Sequence, residues 1–336
     1  MAPRSPWWNP ARFLAPGFSS RARSQNAAVP GVPQVLATTP SAEGPSEVSC
    51  WVSPRAPRLL TCTALLFAAL ACSDAAEQAA EHTLTIRGSD TMVILAQRWA
   101  EAYMDEHPEI AVQVSGGGSG TGITALIAGT TDLANASREI ADSEAELLAR
   151  ERGVPVFETT AAIDAVAIYV HRDNPIASVS LAELEDVFRG RVEDWSALGV
   201  EDLGAITLYS RENNSGTYAY FKDRVLAGYD FASEAQTLPG TAAVINAVSK
   251  DPRAIGYGGI GYAAGVRVVP LRLDSGEIAA ASGAQLRAYP LARPLLIYTA
   301  GEPEGEAARF IEFVRGPPGQ ALVRELGFFP LPEPMG

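Results

Sequence analysis

The chain has 336 residues, 47% hydrophobic and 19% charged, proportions of a globular protein with one large or two medium domains. Its formal charge is −13 at pH 7, and the two parts of the chain differ in sign. Residues 1–71 hold six Arg and two Glu of the chain's 26 basic and 39 acidic residues, which leaves 20 against 37, net −17, for the rest. That balance argues against a nucleic-acid or anionic-membrane footprint, although local dipoles can still hold an anion on an acidic protein.

In chain order, residues 1–51 are rich in Pro, Ser and Ala without apolar periodicity. They read as an extension ahead of a true start near Val52. Residues 59–71, "LLTCTALLFAALA", form an apolar run preceded by Arg55 and Arg58. The run is too short to span a bilayer comfortably and has the length of a signal-peptide core. It ends in "ALAC", which makes residues 52–71 resemble a bacterial lipoprotein signal and Cys72 the lipidated first residue, with 72–81 as a linker. The other reading is a short core segment; the basic flank and the following "SDAAEQAAEH" oppose it. Cys50 and Cys62 lie upstream of the cleavage point, so an exported chain keeps a single Cys and has no disulfide framework. The remaining stretch of about 265 residues is long enough to bury a core.

From His82 strands and helices alternate. "HTLTIRG" predicts a strand and "DTMVILAQRWAEAYMDEHP" a helix with Leu95, Trp99 and Tyr103 at helical spacing. A strand "IAVQVSG", a helix "GITALIAG", a strand-like "TDLANAS" and a charged helix "DSEAELLARERG" follow. "AIDAVAIYVHRDNP" reads as a long buried strand and "SLAELEDVFRG" as a helix capped by Ser180. Then come a strand "ITLYSR", helices "SGTYAYFKDRVL" and "TAAVINAVSKDP", strands "AIGYGG" and "YPLARPLLIYT", and closing helices "GEAARFIEFVRG" and "GQALVRELG". The pattern is α/β with parallel sheets.

Residues 112–128, "VQVSGGGSGTGITALIA", run from a strand through a Gly/Ser/Thr turn into a helix, an arrangement that points backbone N–H groups at an anion. No standard nucleotide or nucleophile motif fits. Gly122 is followed by Ile123 where a Walker loop needs Lys, no register gives glycines at i, i+2 and i+5, and Thr121 stands where G-x-S-x-G needs its last Gly. Two further turns carry similar equipment: "GSDT", with Ser89, Asp90 and Thr91, and "RENNSGT", with Arg211, Ser215, Gly216 and Thr217. Each could be an ordinary helix cap. Three together with an Arg suit a small tetrahedral oxyanion, since charge-assisted hydrogen bonds are worth about 1.5–3 kcal/mol each and eight or so support micromolar binding or tighter.

Catalysis is not indicated. His82, His107 and His171 read as surface residues outside any metal-ligand spacing or nucleophile motif, and no acidic cluster matches a phosphatase metal site. No cofactor or metal is expected.

"GSDTMVILAQRWAEAY", "SGGGSGTGITALIAG", "DLANASREI", "RENNSGTYAYF", "AIGYGGIGY" and "LGFFPLP" together resemble the phosphate-binding lipoprotein or periplasmic receptor of phosphate-specific ABC transporters. The match runs in order from about His82 to Pro332. It implies a two-lobed type II periplasmic-binding fold with crossovers near "TTAAID" (159–164) and "RAYPLA" (287–292), lobe I over 82–161 plus 290–336, lobe II over 162–289, and the ligand in the cleft. Carried onto this sequence, the ligands would be Ser89, Asp90, Thr91, Ser119, Gly120, Thr121 and Ser137 from lobe I, and Arg211, Ser215, Gly216 and Thr217 from lobe II. Arg211 would bring the one full positive charge besides Arg138. In well-known members an Asp follows the Ser corresponding to Ser137 and accepts the phosphate's proton; here Arg138 stands there. Asp90 is then the expected acceptor, its other reading being a helix cap. Arg138 would be a second cation on the anion or a salt-bridge partner of Glu139 or Asp164. The resemblance implies phosphate and permease subunits as partners, an anchor through Cys72 and a monomer. A receptor for sulfate, molybdate or a phosphonate, a phosphate sensor without transport, and a secreted phosphatase are the alternatives.

Overall fold

The computed structural model describes residues 82–332, so the readings of residues 1–51, of the signal at 52–71, of Cys72 and of the linker lie outside the described residues. The strands are β1 (His82–Gly88), β2 (Ile110–Ser115), β3 (Leu133–Ala136), β4 (Val156–Val170), β5 (Val179–Ser180), β6 (Thr207–Arg211), β7 (Gln236–Leu238), β8 (Ala254–Gly259), β9 (Arg267–Val269), β10 (Leu271–Arg272), β11 (Ile278–Ala279) and β12 (Ala292–Ala300). The α-helices are α1 (Val93–Glu106), α2 (Ser119–Ile127), α3 (Asp142–Arg152), α4 (Leu181–Phe188), α5 (Gly216–Arg224), α6 (Gly240–Val248), α7 (Gly305–Arg315) and α8 (Pro317–Glu325).

Local chemistry sets these boundaries. Helix α1 buries Leu95, Trp99 and Tyr103, one apolar stripe at helical spacing. Helix α4 starts where Ser180 and Glu183 cap each other's backbone: Ser180 Oγ accepts from Glu183 N at 3.2 Å, and the Glu183 carboxylate accepts from Ser180 N at 2.7 Å. Helix α3 ends at Gly153 with φ 73°, the left-handed position that glycine tolerates.

The parallel pairing that the alternation of strands and helices predicts holds within each half, and the sheet as a whole is mixed. Its order is β2-β1-β3-β12-β4-β8-β6-β7, with β9 also on β4. Pairs β1–β2, β1–β3, β6–β7 and β6–β8 are parallel, whereas β12 lies antiparallel to β3 and β4, and β4 antiparallel to β8. The reason is connectivity. Parallel βαβ units build each half, and β4 and β12 run through the middle in opposite directions. Consequently β1 and β3 point one way and β6 and β8 the other, and the carboxyl ends of both sets converge where β4 meets β12. The second crossing segment is β12 itself, beginning at the last residue of the expected "RAYPLA" segment.

Two main cores flank that meeting point. One gathers Leu84, Ile86, Trp99, Tyr103, Phe310 and Phe328; the other Val166, Ile168, Phe188, Trp195, Phe221 and Tyr257. Strand β4 gives Ala161 and Ala162 to the first and Ala165 and Val166 to the second; β12 gives Leu295 to the first, and its Ala292 packs against the second. Between them sit two buried charged residues that face each other in register, Asp164 and Arg293. Among the described residues no helix is long and apolar enough to cross a membrane.

Trp99 is fully buried, and its indole N–H donates to the carbonyl of Gly319 at 2.9 Å, tying α1 to α8. Trp99→Ala should cost about 3–5 kcal/mol. Urea unfolding followed by circular dichroism checks this as a lowered midpoint; an unchanged midpoint would remove Trp99 from the core's keystones.

Candidate functional site

Three strand-to-helix turns meet at the convergent strand ends. The first leaves β1 at Gly88, whose φ of +138° and close approach to the carbonyl of Asn135 exclude a side chain. That geometry lets Ser89 N donate to Asn135 O at 2.8 Å. Ser89 Oγ then donates to Ser137 Oγ at 2.9 Å, and Ser137 N to Ser119 Oγ at 3.1 Å. Three buried serines from the ends of β1 and β3 and the start of α2 thus form one polar cluster.

The third turn brings α5 against it. Ser215 caps the helix by accepting from Tyr218 N at 3.3 Å, while the first-turn N–H groups of Gly216 and Thr217 have no intrahelical acceptor. Gly216 lies so close to Ser119 Oγ that a Cβ would collide with it, and with Ser137 Oγ at 2.8 Å. Thr217 Oγ1 lies 2.9 Å from Thr91 Oγ1. The second turn meets Asn214: Gly120 N donates to Asn214 O at 3.0 Å, and Asn214 Nδ2 donates to Gly117 O at 2.8 Å and to Thr121 Oγ1 at 3.3 Å.

Arg211 is 1% exposed at the end of β6. Its Nη1 donates to Thr241 Oγ1 and its Nη2 to Asp90 Oδ2, both at 2.8 Å, while its buried Nε has no hydrogen-bond partner. Burial pulls its pKa below the ordinary arginine value; Asp90 opposes that and a second guanidinium, Arg293, adds to it. Asp90 spans two turns, since its Oδ1 accepts from Gly117 N at 2.8 Å; it caps the glycine loop and not its own helix. Tyr262 OH donates to the Asp90 carbonyl at 2.7 Å.

The structure therefore gathers Ser89, Asp90, Thr91, Ser119, Ser137, Arg211, Ser215, Gly216 and Thr217 in one place. Gly120 is on the rim beside Asn214, and Thr121 is exposed there with its hydroxyl donating to Gly117 O at 2.6 Å. Arg138 turns elsewhere. Its guanidinium forks onto the Glu144 carboxylate at 2.7 and 2.6 Å and donates to the Glu139 carbonyl at 2.9 Å. The expected partnership with Asp164 is replaced, because Asp164 is held by Arg293 at 2.8 Å. Burial works against the charge on Glu144, but Arg138 and the Ala141 N–H together outweigh it and keep its pKa below the usual carboxylate value.

The expectation names Arg211 as a cation and leaves Arg138 open between the anion and a salt bridge; the structure adds a second buried guanidinium beside these turns, that of Arg293. Arg293 reaches Thr217 Oγ1 at 3.0 Å and the carbonyl of Ser137 at 2.8 Å. The signal was present: a lone Arg in the apolar "PLARPLLIY" and a lone Asp in "AAIDAVAIYV" each interrupt a buried strand. A correction concerns His171, whose side chain is only 14% exposed, 3.6 Å from Asp173; His107 is 40% exposed beside Glu109. Among the described residues no group of His, Cys, Asp and Glu could hold a metal ion.

Chemically the place offers two buried guanidinium groups, hydroxyls and helix N–H donors, with Asp90 as the neighbouring carboxylate. Its serines bond to one another and to backbone. An acyl-transfer nucleophile would instead be held by a base. Guanidinium, hydroxyl and helix N–H groups are donors from which a small anion can accept.

A family model described as a PBP superfamily domain matches residues 73–317. The phosphate-binding protein PstS of Pseudomonas aeruginosa is 34% identical over 264 residues, covering 73% of this chain and 82% of that protein. PstS of Bacillus subtilis is 30% identical over 288 residues, covering 82% and 93%. Among solved structures, a candidate phosphate ABC transporter substrate-binding protein with bound phosphate from Clostridium perfringens superposes with TM-score 0.67 at 25% identity, covering 74% of this chain and 100% of that one. An ABC-type phosphate transport receptor from Vibrio cholerae gives 0.61 at 27%, with 74% and 100% covered. Fold, turn chemistry and relatives agree, and the chain belongs to the PBP superfamily and, within it, to the family of the phosphate-binding proteins PstS.

Proposed function

We propose that this chain binds inorganic phosphate in the cell envelope and delivers it to an ABC-type permease, without catalysing a reaction on it. The observation that carries this reading is Arg211: a buried guanidinium half committed to Asp90, with a free Nε, among hydroxyls and helix N–H groups from three turns. Names of relatives such as the P. aeruginosa and B. subtilis phosphate-binding proteins support the same ligand.

The ligands we infer are Ser89, Thr91, Ser119, Ser137, Arg211, Ser215, Gly216 and Thr217, with Gly120 and Thr121 closing the rim. Asp90 serves as the acceptor of the phosphate proton. Arg138 stabilises the start of α3 through Glu144 and leaves the anion to Arg211. Capture proceeds by closure of two lobes, 82–161 with 290–336 and 162–289, about β4 and β12, and phosphate favours the closed form because it contacts both. The mature protein is a monomer, anchored through lipidated Cys72 and docking with permease subunits.

Calorimetric titration of residues 73–336, freed of bound ligand, tests the core of this reading. Phosphate at pH 8 should bind one-to-one and sulfate weakly, and Arg211→Ala should lose roughly ten- to hundredfold in affinity, one charge-assisted hydrogen bond or more. No phosphate binding by the parent chain would end the reading. Asp90→Asn separates two roles of that carboxylate in the same assay. A proton acceptor lost should weaken phosphate and strengthen sulfate, whereas a mere loss of hold on Arg211 should weaken both alike. Arg138→Ala should leave phosphate affinity within about threefold and lower stability by about 0.5–2 kcal/mol. The Glu144 contribution is complete above the ordinary glutamate pKa and fades as pH falls through its depressed value, so the variant's deficit should shrink in acid.

A further inference from the structure

We propose that Arg293 is a positioning residue of the anion site, acting through the hydroxyls of Thr91 and Thr217 without touching the anion itself; the inference rests on the phosphate reading above.

Arg293 is fixed on every side. Its Nε and Nη2 donate to Asp164 Oδ2 at 3.0 and 2.8 Å, its Nη1 to the carbonyl of Ser137 at 2.8 Å, and its Cζ lies 5.2 Å from the centre of the Tyr220 ring. Asp164 is held in turn by Ile260 N, 3.1 Å from Oδ1. What remains of Nη2 reaches Thr217 Oγ1 at 3.0 Å and Thr91 Oγ1 at 3.4 Å. One side chain on β12 thus bears on a residue after β1, one after β3 and one at the start of α5.

The consequence follows from hydrogen-bond valence. A guanidinium can only donate, and a threonine hydroxyl has one hydrogen and two lone pairs. The two hydroxyls are 2.9 Å apart, so one donates to the other. The receiving oxygen then has its lone pairs filled by Arg293 and by its partner, and its own hydrogen must point away from both. An anion that accepts from both hydroxyls can replace the Thr–Thr bond while Arg293 keeps filling their lone pairs. Arg293 therefore fixes both hydroxyls as donors toward the pocket. Without it they can turn to accept, and a hydroxyl oxygen facing phosphate repels it.

A double-mutant cycle read by phosphate calorimetry tests this. Arg293→Met alone would leave Asp164 buried and unpaired, so the first leg is the pair Asp164→Asn/Arg293→Met, which keeps the Ile260 contact and removes both charges. The second leg is Thr217→Val, with Thr91→Val as the same test on the other hydroxyl; thermal melting without ligand verifies that each variant is folded. Each leg should weaken phosphate roughly ten- to hundredfold. Combined, they should be no weaker than the worse leg by more than about threefold, because the oriented donor that Thr217→Val removes is already lost with Arg293. Losses that multiply, or an unchanged affinity in the Asp164/Arg293 pair, overturn the inference while the phosphate reading stands. Absence of phosphate binding in the parent chain overturns both.

Discussion

Two guanidinium groups buried side by side are the constraint on which the middle of this molecule depends. An unpaired buried cation is destabilising by several kcal/mol, and two that repel each other are worse. Arg211 and Arg293 are each 1% exposed, and each has one carboxylate: Asp90 from the turn after β1, and Asp164 from β4. Their other donors go to Thr241, Thr217, Thr91 and the Ser137 carbonyl, which fixes the turns around them. The free Nε of Arg211 and the mutual repulsion are left over. In the proposed reading a guest anion answers both at once, so the same feature that strains the protein alone supplies its affinity.

The two cores explain why those charges can lie there. Strands β4 and β12 pass from one core to the other, and at the passage neither core covers them, so polar side chains are admitted where an apolar strand would otherwise continue. Both sets of strand ends point to this place, which is why helix starts from different parts of the chain face each other across it. Contacts then join the two sides directly: Asp90 with Arg211, Thr91 with Thr217, and Asn214 with Gly117 and Gly120. In the proposed closure these contacts hold part of the closed form, and a ligand supplies only the remainder of the closing free energy.

Much of this was legible in the sequence because it is local. Trp99 and Tyr103 announce a helix face by spacing alone, and Ser180 with Glu183 announces a helix start within four residues. The Ser-Gly-Thr turns are similarly self-contained. Strands β5, β10 and β11, of two residues each, are too short to show any period. Arg293 and Asp164 escaped for a different reason: they meet across 129 residues, and each alone is one charged letter in an apolar strand. The mixed sheet is also non-local, since strand direction follows from where β4 and β12 lead and not from their composition. Arg138 was ambiguous because its partner, Glu144, stands six residues on, past the helix start that decides where its carboxylate points.

That ambiguity bears on how the site could tell phosphate from sulfate. An acceptor is needed for the one hydrogen that phosphate carries and sulfate lacks, and a donor such as Arg138 could not serve even if it faced the ligand. Asp90 has the chemistry. Its two oxygens already take Gly117 N and Arg211 Nη2, but a carboxylate offers about four acceptor positions, so capacity remains. Its charge also offsets that of Arg211, which lowers the attraction for any anion and makes the missing hydrogen bond to sulfate count for more. In the proposed role, a carboxylate needed first to make Arg211 buriable is also the group that rejects an unprotonated guest. Discrimination then requires no residue beyond those that folding the site already demands.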